Sequence, residues 1–185
     1  GADFIAATGR KFLRGPRGTG FLAVSPRVLN VLEPVPIDMF GTAWDGDQGY
    51  ELSPTASRYQ SFEMSYSAML GLGAAIDYAL TIGIDQIHAR INRLATTLRS
   101  ELAAIPNVRV LDRGSQKSGI VVFSCPGADS WSAVRELRAH GVTVTAITRP
   151  TNPPDVDSYE SSCVLRASPH IFNTEDDLAA LVNAL

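Results

Sequence analysis

The sequence predicts a mixed α/β fold, and two observations support this. Short apolar runs typical of strands alternate with amphipathic stretches typical of helices along most of the chain. Apolar residues make up 45% and charged residues 19% of the 185 residues, which is typical of a globular protein that can bury a core. The alternation is compatible with an α/β or an α+β arrangement of these elements.

The first part of the chain is predicted to contain two strands and a long loop. Strands are expected over residues 3–8 and 19–24, and the glycine-rich residues 9–20 are expected to form the turn between them. Pro26 can open a short helix as its first residue. Residues 33–57 carry three prolines and several glycines, so we expect an irregular loop of a length that is often functional.

The remainder is predicted to be a series of helices and strands. The apolar spacing predicts helices over residues 58–80, 85–105, 130–140 and 174–185, and strands over residues 108–111, 119–125, 142–147 and 163–167. Thr174 and Asp177 have the spacing of a capping box at the start of the last helix. Cys125 and Cys163 lie in strand-like apolar runs and are expected to be buried free thiols of a cytoplasmic protein.

Charge and composition argue against several classes of partner. A net charge of −3 provides no basic surface for nucleic acid. No apolar run approaches the roughly 20 residues that span a bilayer, and the first residues lack the basic region of a signal peptide. We therefore expect a cytoplasmic protein that binds neither nucleic acid nor a membrane. The three histidines are scattered along the chain and predict no metal site.

One lysine stands in an unusual place. Among the 16 basic residues, only Lys11 and Lys117 are lysines. Lys11 lies in "ATGRKFLRGPRGTGFL", directly after a predicted strand and in a glycine-rich turn. Such a turn can hold a phosphate because its backbone N–H groups can approach an anion closely, although it matches neither a P-loop nor a dinucleotide-binding motif. The alternative is a solvated surface charge.

A second stretch, "VLRASPHIFNTEDDL", places Arg166 at the end of a strand, before an irregular turn and a capped helix. A guanidinium there can bind a carboxylate through two parallel N–H donors. The alternative is a surface ion pair with Glu160 or Asp177. Two further side chains have both a functional and a structural interpretation: His170 could contact a ligand or shape the turn, and Trp44 could border a pocket or anchor the long loop.

Together, these stretches resemble the lysine and arginine motifs of the class V aminotransferases, a cysteine desulfurase-like family that binds pyridoxal phosphate. The stretch "RYQSFEMSYSAMLGLGAAIDYALTIG" resembles the helix between those motifs. The resemblance covers nearly the whole chain and is closest to the isopenicillin N epimerase-like and C–S lyase branch. It implies the C-terminal part of a fold-type I pyridoxal-phosphate transferase. Residues 1–82 are then a remnant of the large cofactor domain, and residues 84–185 are the small C-terminal α/β domain.

The resemblance also implies roles for individual residues. Lys11 matches the catalytic lysine that forms a Schiff base with the cofactor aldehyde, which an arginine cannot do because it stays protonated. Thr8 and Arg10 match positions that bind the cofactor phosphate, and Arg10 stands where many relatives have histidine. Arg166 matches the residue that binds the α-carboxylate of the substrate. Ser65 is a weaker candidate for a phosphate contact from the neighbouring subunit.

The implied activity is that of a homodimeric enzyme acting at Cα or Cβ of a small amino acid, as a transaminase, an epimerase or a C–S lyase. Cysteine desulfurases of the resembled group need a mobile cysteine, and the corresponding residues 148–152 contain none, so persulfide chemistry is disfavoured. The family's large domain lies mostly before the lysine, whereas ten residues precede Lys11 here. We therefore expect activity to need residues upstream. The alternative is a non-catalytic binding or assembly module that kept the family's motifs.

Overall fold

The computed structural model describes residues 1–46, 49–125, 129–148 and 162–185. It divides into two compact units, which we call unit 1 (Gly1–Ile82) and unit 2 (Gly83–Leu185). Both units contain helices and strands, so the predicted mixed α/β class is confirmed.

Unit 1 begins with a hairpin. Strand β1 (Phe4–Thr8) pairs antiparallel with β2 (Gly20–Val24), in a register that places Thr8 opposite Gly20. The two strands approach closely at this pair, because a Cβ on Gly20 would lie 2.5 Å from the carbonyl oxygen of Ala7. The predicted strands are therefore present, and the turn between them contains Lys11.

The segment after the short helix α1 (Pro26–Leu29) is more regular than the sequence predicts. The expected irregular loop over residues 33–57 contains a second hairpin, formed by β3 (Thr42–Trp44) and β4 (Tyr50–Leu52). Strands of three residues are too short to show the apolar alternation by which a strand is recognised in a sequence. The prediction of an irregular loop is therefore wrong for these residues.

The helix that follows begins later than predicted. A 3₁₀ turn covers Ala56–Tyr59, and helix α2 (Tyr66–Ile82) begins several residues after it. Arg58, which the helical period included, is buried, and its Nε donates to the carbonyl oxygen of Ser53 at 2.7 Å. This bond ties Arg58 to the preceding loop. The Ser65 hydroxyl accepts an N–H of the first turn of α2 and so marks the start of the helix.

Unit 2 combines a sheet with helices. The helices are α3 (Ile84–Ala104), α4 (Ser130–Ala139) and α5 (Glu175–Asn183), and the strands are β5 (Arg109–Val110), β6 (Val121–Ser124), β7 (Thr145–Ala146) and β8 (Val164–Ala167). The strands pair antiparallel in the order β5-β6-β8-β7, so β8 has a neighbour on each side. The elements lie where the sequence predicts them, although β5 and β7 are shorter than expected.

One face of this sheet carries the core of unit 2. The buried cluster joins α3, α4, α5 and the strands through Leu94, Leu98, Leu102, Val134, Leu137, Leu178, Leu181, Val121, Phe123, Ala146, Leu165 and Ala167. Residues that pair directly across strands share a face, and Phe123, Leu165 and Ala146 are paired in this way. Alternation along β8 therefore places Arg166 on the opposite face, which we call the outward face.

A charged network ties α3 to the loop before β6. Arg99 Nε donates to Asp112 Oδ2 at 2.6 Å, and Arg99 Nη2 donates to the carbonyl oxygens of Ser118 at 2.7 Å and Ile120 at 2.9 Å. Asp112 Oδ1 accepts the N–H of Val122 at 2.9 Å. The arginine and aspartate side chains are only 14% and 9% exposed. The three bonds from Arg99 join α3 to this loop, with both charged side chains largely covered.

The two cysteines correct the sequence-based expectation. Cys125 and Cys163 are bonded as a disulfide, with their Cα atoms 5.7 Å apart and both side chains buried. The expectation of free thiols is wrong because the antiparallel pairing of β6 with β8 places residues 38 positions apart side by side. Disulfides persist mainly in oxidising compartments. The cysteines therefore do not support a cytoplasmic location, which stays a prediction.

Two features of the described residues concern the expected classes of ligand and location. No single helix among them is long and apolar enough to cross a membrane, and only α2 and α3 taken together, as a bent pair, reach that length and composition. In the same part of the chain, no group of three or more His, Cys, Asp or Glu side chains could hold a metal ion.

Candidate functional site

Backbone hydrogen bonds close the turn that carries Lys11. The Gly9 amide donates to the carbonyl oxygen of Thr19 at 2.8 Å, and the Gly15 amide donates to that of Gly9 at 2.9 Å. Inside this loop, the Arg14 amide donates to the carbonyl oxygen of Lys11 at 3.0 Å. We call residues 9–19 the lysine turn. Its bonds hold the backbone of Lys11 in one conformation at the end of β1.

Helix α2 lies under the lysine turn. A Cβ on Gly9 would lie 2.5 Å from Thr19 Oγ1 and 2.7 Å from Leu72 Cδ1. Leu72 is only 3% exposed. Pro16 packs in the same way on Gly71, where a Cβ would lie 2.8 Å from the proline Cγ. The glycines of this stretch therefore serve close packing between the turn and the helix, and Gly9 leaves no room for a side chain.

The structure brings together three of the four predicted site residues. Thr8, Arg10 and Lys11 follow one another around Gly9, and their side chains are exposed. Thr8 Oγ1 has only a long hydrogen bond, of 3.5 Å, to the carbonyl oxygen of Thr19. The set offers a hydroxyl, a guanidinium and a primary amine. These are donor types that suit a phosphate and an aldehyde, so the residues present fit pyridoxal phosphate.

A neighbouring residue of the turn contacts α2 through its side chain. Arg14 has a φ of 59°, in the left-handed region that residues with a Cβ rarely adopt. Its guanidinium carbon lies 5.1 Å from the centroid of the Tyr78 ring. Tyr78 is not among the residues that the sequence nominates for the site. The signal that could have found it is helical spacing, because Tyr78 follows Gly71 by seven residues and so lies on the same face of α2.

The fourth predicted residue, Arg166, belongs to unit 2. It lies on β8 between Val122 of β6 and Thr145 of β7, and its side chain is exposed on the outward face. The alternative ion pair with Asp177 is not among the ion pairs of the described residues, and Asp177 Oδ2 instead accepts from the Thr174 amide and from Asn173 Nδ2. Glu160, the other alternative partner, lies outside the described residues. A rigid central strand thus presents the guanidinium of Arg166.

Hydrogen bonds fix the turn that follows Arg166. The His170 amide donates to Asn173 Oδ1 at 2.9 Å, and Asn173 Nδ2 donates to Asp177 Oδ2 at 3.1 Å. The predicted capping box between Thr174 and Asp177 is present at the start of α5. Hydrogen bonds from the Thr174 amide and from Asn173 lower the pKa of Asp177 from its usual value. This carboxylate therefore stays charged and keeps the turn closed.

An ion pair ties α3 to α5 at the same turn. Arg90 Nη1 donates to Glu175 Oε1 at 2.6 Å, and Arg90 Nη2 donates to the carbonyl oxygen of Asn173 at 2.9 Å. The hydrogen bond from Arg90 lowers the pKa of Glu175 from 4.5 to about 2. The turn after β8 is thus held from two sides, by α3 and by the cap of α5.

The remaining candidates are His170, Trp44 and a cavity of unit 2. His170 is half-buried and stacks on Phe172, with ring centroids 5.3 Å apart. Trp44 is 75% exposed on β3, so it does not anchor the loop by burial. A cavity of about 370 Å³ in unit 2 is lined by residues 141–144, the end of β8 and the turn after it, α5 and Leu98 of α3, and Arg166 is not among its lining residues.

Comparisons with known proteins match the whole chain. The model of the family "Aminotransferase class-V" matches residues 1–181. The chain is 29% identical over 189 residues to a probable cysteine desulfurase of Methanothermobacter thermautotrophicus, covering 100% of this chain and 47% of that protein. It is 32% identical over 193 residues to a probable hercynylcysteine sulfoxide lyase of Mycobacterium tuberculosis, covering 100% of this chain and 44% of that protein.

The fold is similar to that of solved structures over the same extent. The crystal structure of the cysteine desulfurase CsdA from Escherichia coli superposes with a TM-score of 0.84 at 26% identity, covering 98% of this chain and 45% of that chain. The chain therefore spans about half the length of the relatives that it matches.

Proposed function

Because this chain belongs to the class V aminotransferase family, we propose that it is part of a pyridoxal-phosphate enzyme that acts at Cα or Cβ of an amino acid. The observation that carries the proposal is the placement of Lys11. One of only two lysines in the chain lies in a closed turn, directly after a cationic side chain and three residues after a hydroxyl side chain, in a family whose cofactor reacts with a lysine amine. Pyridoxal 5′-phosphate is the cofactor that the family indicates.

The residues of the lysine turn have distinct tasks in this proposal. Arg10 and Thr8 bind the cofactor phosphate, since a guanidinium and a hydroxyl donate hydrogen bonds to its oxygens. Lys11 would hold the cofactor covalently through Nζ. When it is not so bound, Nζ is a primary amine that can take a proton from Cα of the substrate and return it. When bound, pyridoxal phosphate supplies an electron sink for the negative charge that develops at Cα.

Arg166 binds the α-carboxylate of the substrate in this proposal. Its planar guanidinium can donate two parallel N–H groups to the two carboxylate oxygens, which fixes orientation as well as position. The strands on either side of β8 hold its backbone, so little freedom is lost when the carboxylate binds. The orientation of the carboxylate in turn decides which bond at Cα is exposed to reaction.

Among the reactions of the family, we favour elimination, epimerisation or transamination over transfer of sulfur to a protein cysteine. Persulfide formation needs an accessible thiolate. The only two cysteines of the chain, Cys125 and Cys163, are buried and bonded to each other. The relative from Mycobacterium tuberculosis, which carries the name of a lyase, supports elimination at a C–S bond as the first reaction to test.

We further propose that the enzyme is a homodimer. The described residues of unit 1 expose large apolar side chains on the long segment after α1, and Val35, Met39 and Trp44 are 97%, 73% and 75% exposed. Surfaces of this kind commonly mark protein interfaces. Sedimentation of the natural protein that contains this chain tests the proposal, because a monomeric mass contradicts it.

The role of Lys11 can be tested by trapping the cofactor. Pyridoxal phosphate is added to this chain and to the natural protein that contains it, the samples are reduced with borohydride, and the labelled peptide is identified by mass spectrometry. We expect stoichiometric label on Lys11 in the natural protein. Lys117 is the internal control, because its Nζ is also exposed and donates to the carbonyl oxygen of Asp112 at 2.7 Å.

The outcomes separate the two functional hypotheses. Label on Lys11 that disappears in Lys11→Arg supports the enzyme, and products from L-cysteine and from β-substituted amino acids then distinguish elimination, epimerisation and transamination. Label that is absent from Lys11, or equal on Lys117 and other amines, contradicts the enzyme. The alternative of a non-catalytic binding or assembly module then becomes the better explanation.

A further inference from the structure

The support of the lysine turn by α2 extends along one helix face. Gly71 receives Pro16, Leu72 fills the space below Gly9 and Gly15, and Tyr78 lies beneath Arg14. The first two contacts are apolar and lie at the closed end of the turn. The third contact is made by Tyr78, two helical turns further along α2. Tyr78 contacts Arg14, whose amide donates to the carbonyl oxygen of Lys11.

Arg14 links this contact to Lys11 through its backbone. Its left-handed φ of 59° is unfavourable for a residue with a Cβ, and such conformations persist where the surroundings hold them. The amide of Arg14 donates to the carbonyl oxygen of Lys11, and the next amide, that of Gly15, closes the turn on Gly9. Any change that lets Arg14 relax therefore loosens the backbone on both sides of Lys11.

We infer that Tyr78 is a positioning residue: its ring, stacked under the Arg14 guanidinium, holds the left-handed conformation that orients Lys11. A guanidinium within about 6 Å of an aromatic centroid is attracted to the ring face, and the distance here is 5.1 Å. The importance of the contact for catalysis rests on the proposed role of Lys11, whereas its effect on the turn does not.

The contact can be tested in the cofactor-free natural protein by hydrogen exchange of the Arg14 and Gly15 amides. Removal of the ring in Tyr78→Leu is expected to speed their exchange about two- to fivefold, the size of an exposed cation–π contact. Tyr78→Phe keeps the ring face and is expected to exchange like the wild type. Tyr66→Leu is the matched control, because Tyr66 lies on the same helix and is 60% exposed against 55% for Tyr78.

A second variant and a second measurement make the test specific. Arg14→Gln should speed exchange as Tyr78→Leu does, and the double variant should add nothing, because both remove the same contact. In the cofactor-loaded protein, the pH midpoint of the cofactor's absorbance change should shift in Tyr78→Leu and return in Tyr78→Phe.

Any of three results overturns the inference. The exchange rate of the Arg14 and Gly15 amides is unchanged in Tyr78→Leu, it rises equally in Tyr66→Leu, or it rises in Tyr78→Phe as much as in Tyr78→Leu. Failure of the proposed function has a different signature. In that case borohydride leaves Lys11 unlabelled in the wild type, while the exchange of the Arg14 and Gly15 amides still responds to Tyr78.

Discussion

Single residues in this protein are constrained by space as much as by chemistry. Gly119, at the start of the predicted strand that contains β6, lies against α3, and a Cβ there would overlap the Cγ2 methyl of Ile91. Ile91 is only 7% exposed, and its methyl is fixed close to the backbone by the branch at Cβ. The neighbour therefore cannot move aside cheaply.

We predict that Gly119→Ala lowers the free energy of unfolding by about 1–3 kcal/mol, the usual cost of overpacking a core. In an Ile91→Ala background, which removes the overlapping methyl, the same substitution should cost close to nothing. Urea denaturation of the four proteins measures the cycle. An equal cost in both backgrounds would show that Ile91 is not the cause.

Residues also differ in how far their roles could be predicted from the sequence. Thr8, Arg10 and Lys11 are neighbours in the chain, so a local motif sufficed to nominate them. Tyr78 shares a helix face with Gly71 by its spacing of seven residues, but the contact of that face with the turn is a matter of packing that a local motif does not report. The bond between Cys125 and Cys163 escaped prediction for a related reason, since it depends on which strands pair.

At the scale of elements, the tie between α3 and α5 predicts a dependence of stability on pH. The pKa of Glu175 is lowered from 4.5 to about 2 by the hydrogen bond from Arg90. A carboxylate with a lowered pKa stabilises the folded state fully above the unfolded value, and this stabilisation is lost as pH falls towards the folded value. The contribution is therefore complete above pH 4.5 and disappears between pH 4.5 and about 2.

Glu175→Gln is expected to be less stable than the wild type at pH 7, with a difference that narrows as pH falls through this window and shrinks in high salt. Asp176→Asn is the control, because it removes a charge from the same first turn of α5 without removing a partner of Arg90. Denaturation at several pH values measures both. A difference that stays constant down to pH 2 contradicts the role of the ion pair.

Long elements were predictable and short ones were not. Helix α3 was predicted within one residue at each end, because its apolar period runs through five turns. The hairpin of β3 and β4 was missed, because three-residue strands leave too little pattern. The start of α2 was predicted too early, at Arg58, because the prediction rested on apolar spacing alone. Arg58 instead donates a hydrogen bond to the carbonyl oxygen of Ser53 in the preceding loop, outside the helix.

At the scale of the whole molecule, the two units differ in how much apolar surface they bury by themselves. Unit 2 has a continuous cluster built from all three of its described helices and from its sheet. In the described part of unit 1, the buried apolar side chains are Pro34, Leu72 and Ala79. A two-stranded hairpin such as β1–β2 is marginally stable by itself.

We therefore predict that residues 83–185 fold when expressed alone and that residues 1–82 do not. The first fragment should give a cooperative thermal transition by circular dichroism and dispersed amide signals by nuclear magnetic resonance. The second should lack both and should aggregate through its exposed strand edges. A cooperative transition in residues 1–82 would show that this half has enough core of its own.

The two faces of the sheet of unit 2 differ in how freely their residues can be replaced. Its core face carries Phe123 and Leu165, where even a side chain larger or smaller by one methylene disturbs tightly packed neighbours. Val122 and Thr145 flank Arg166 on the outward face and belong to no such cluster. Selection can therefore alter these two positions at little cost to folding. On the proposed role of Arg166 in binding the substrate, single substitutions at these two positions would change the surroundings of the bound carboxylate, while the strand that carries Arg166 stays unchanged.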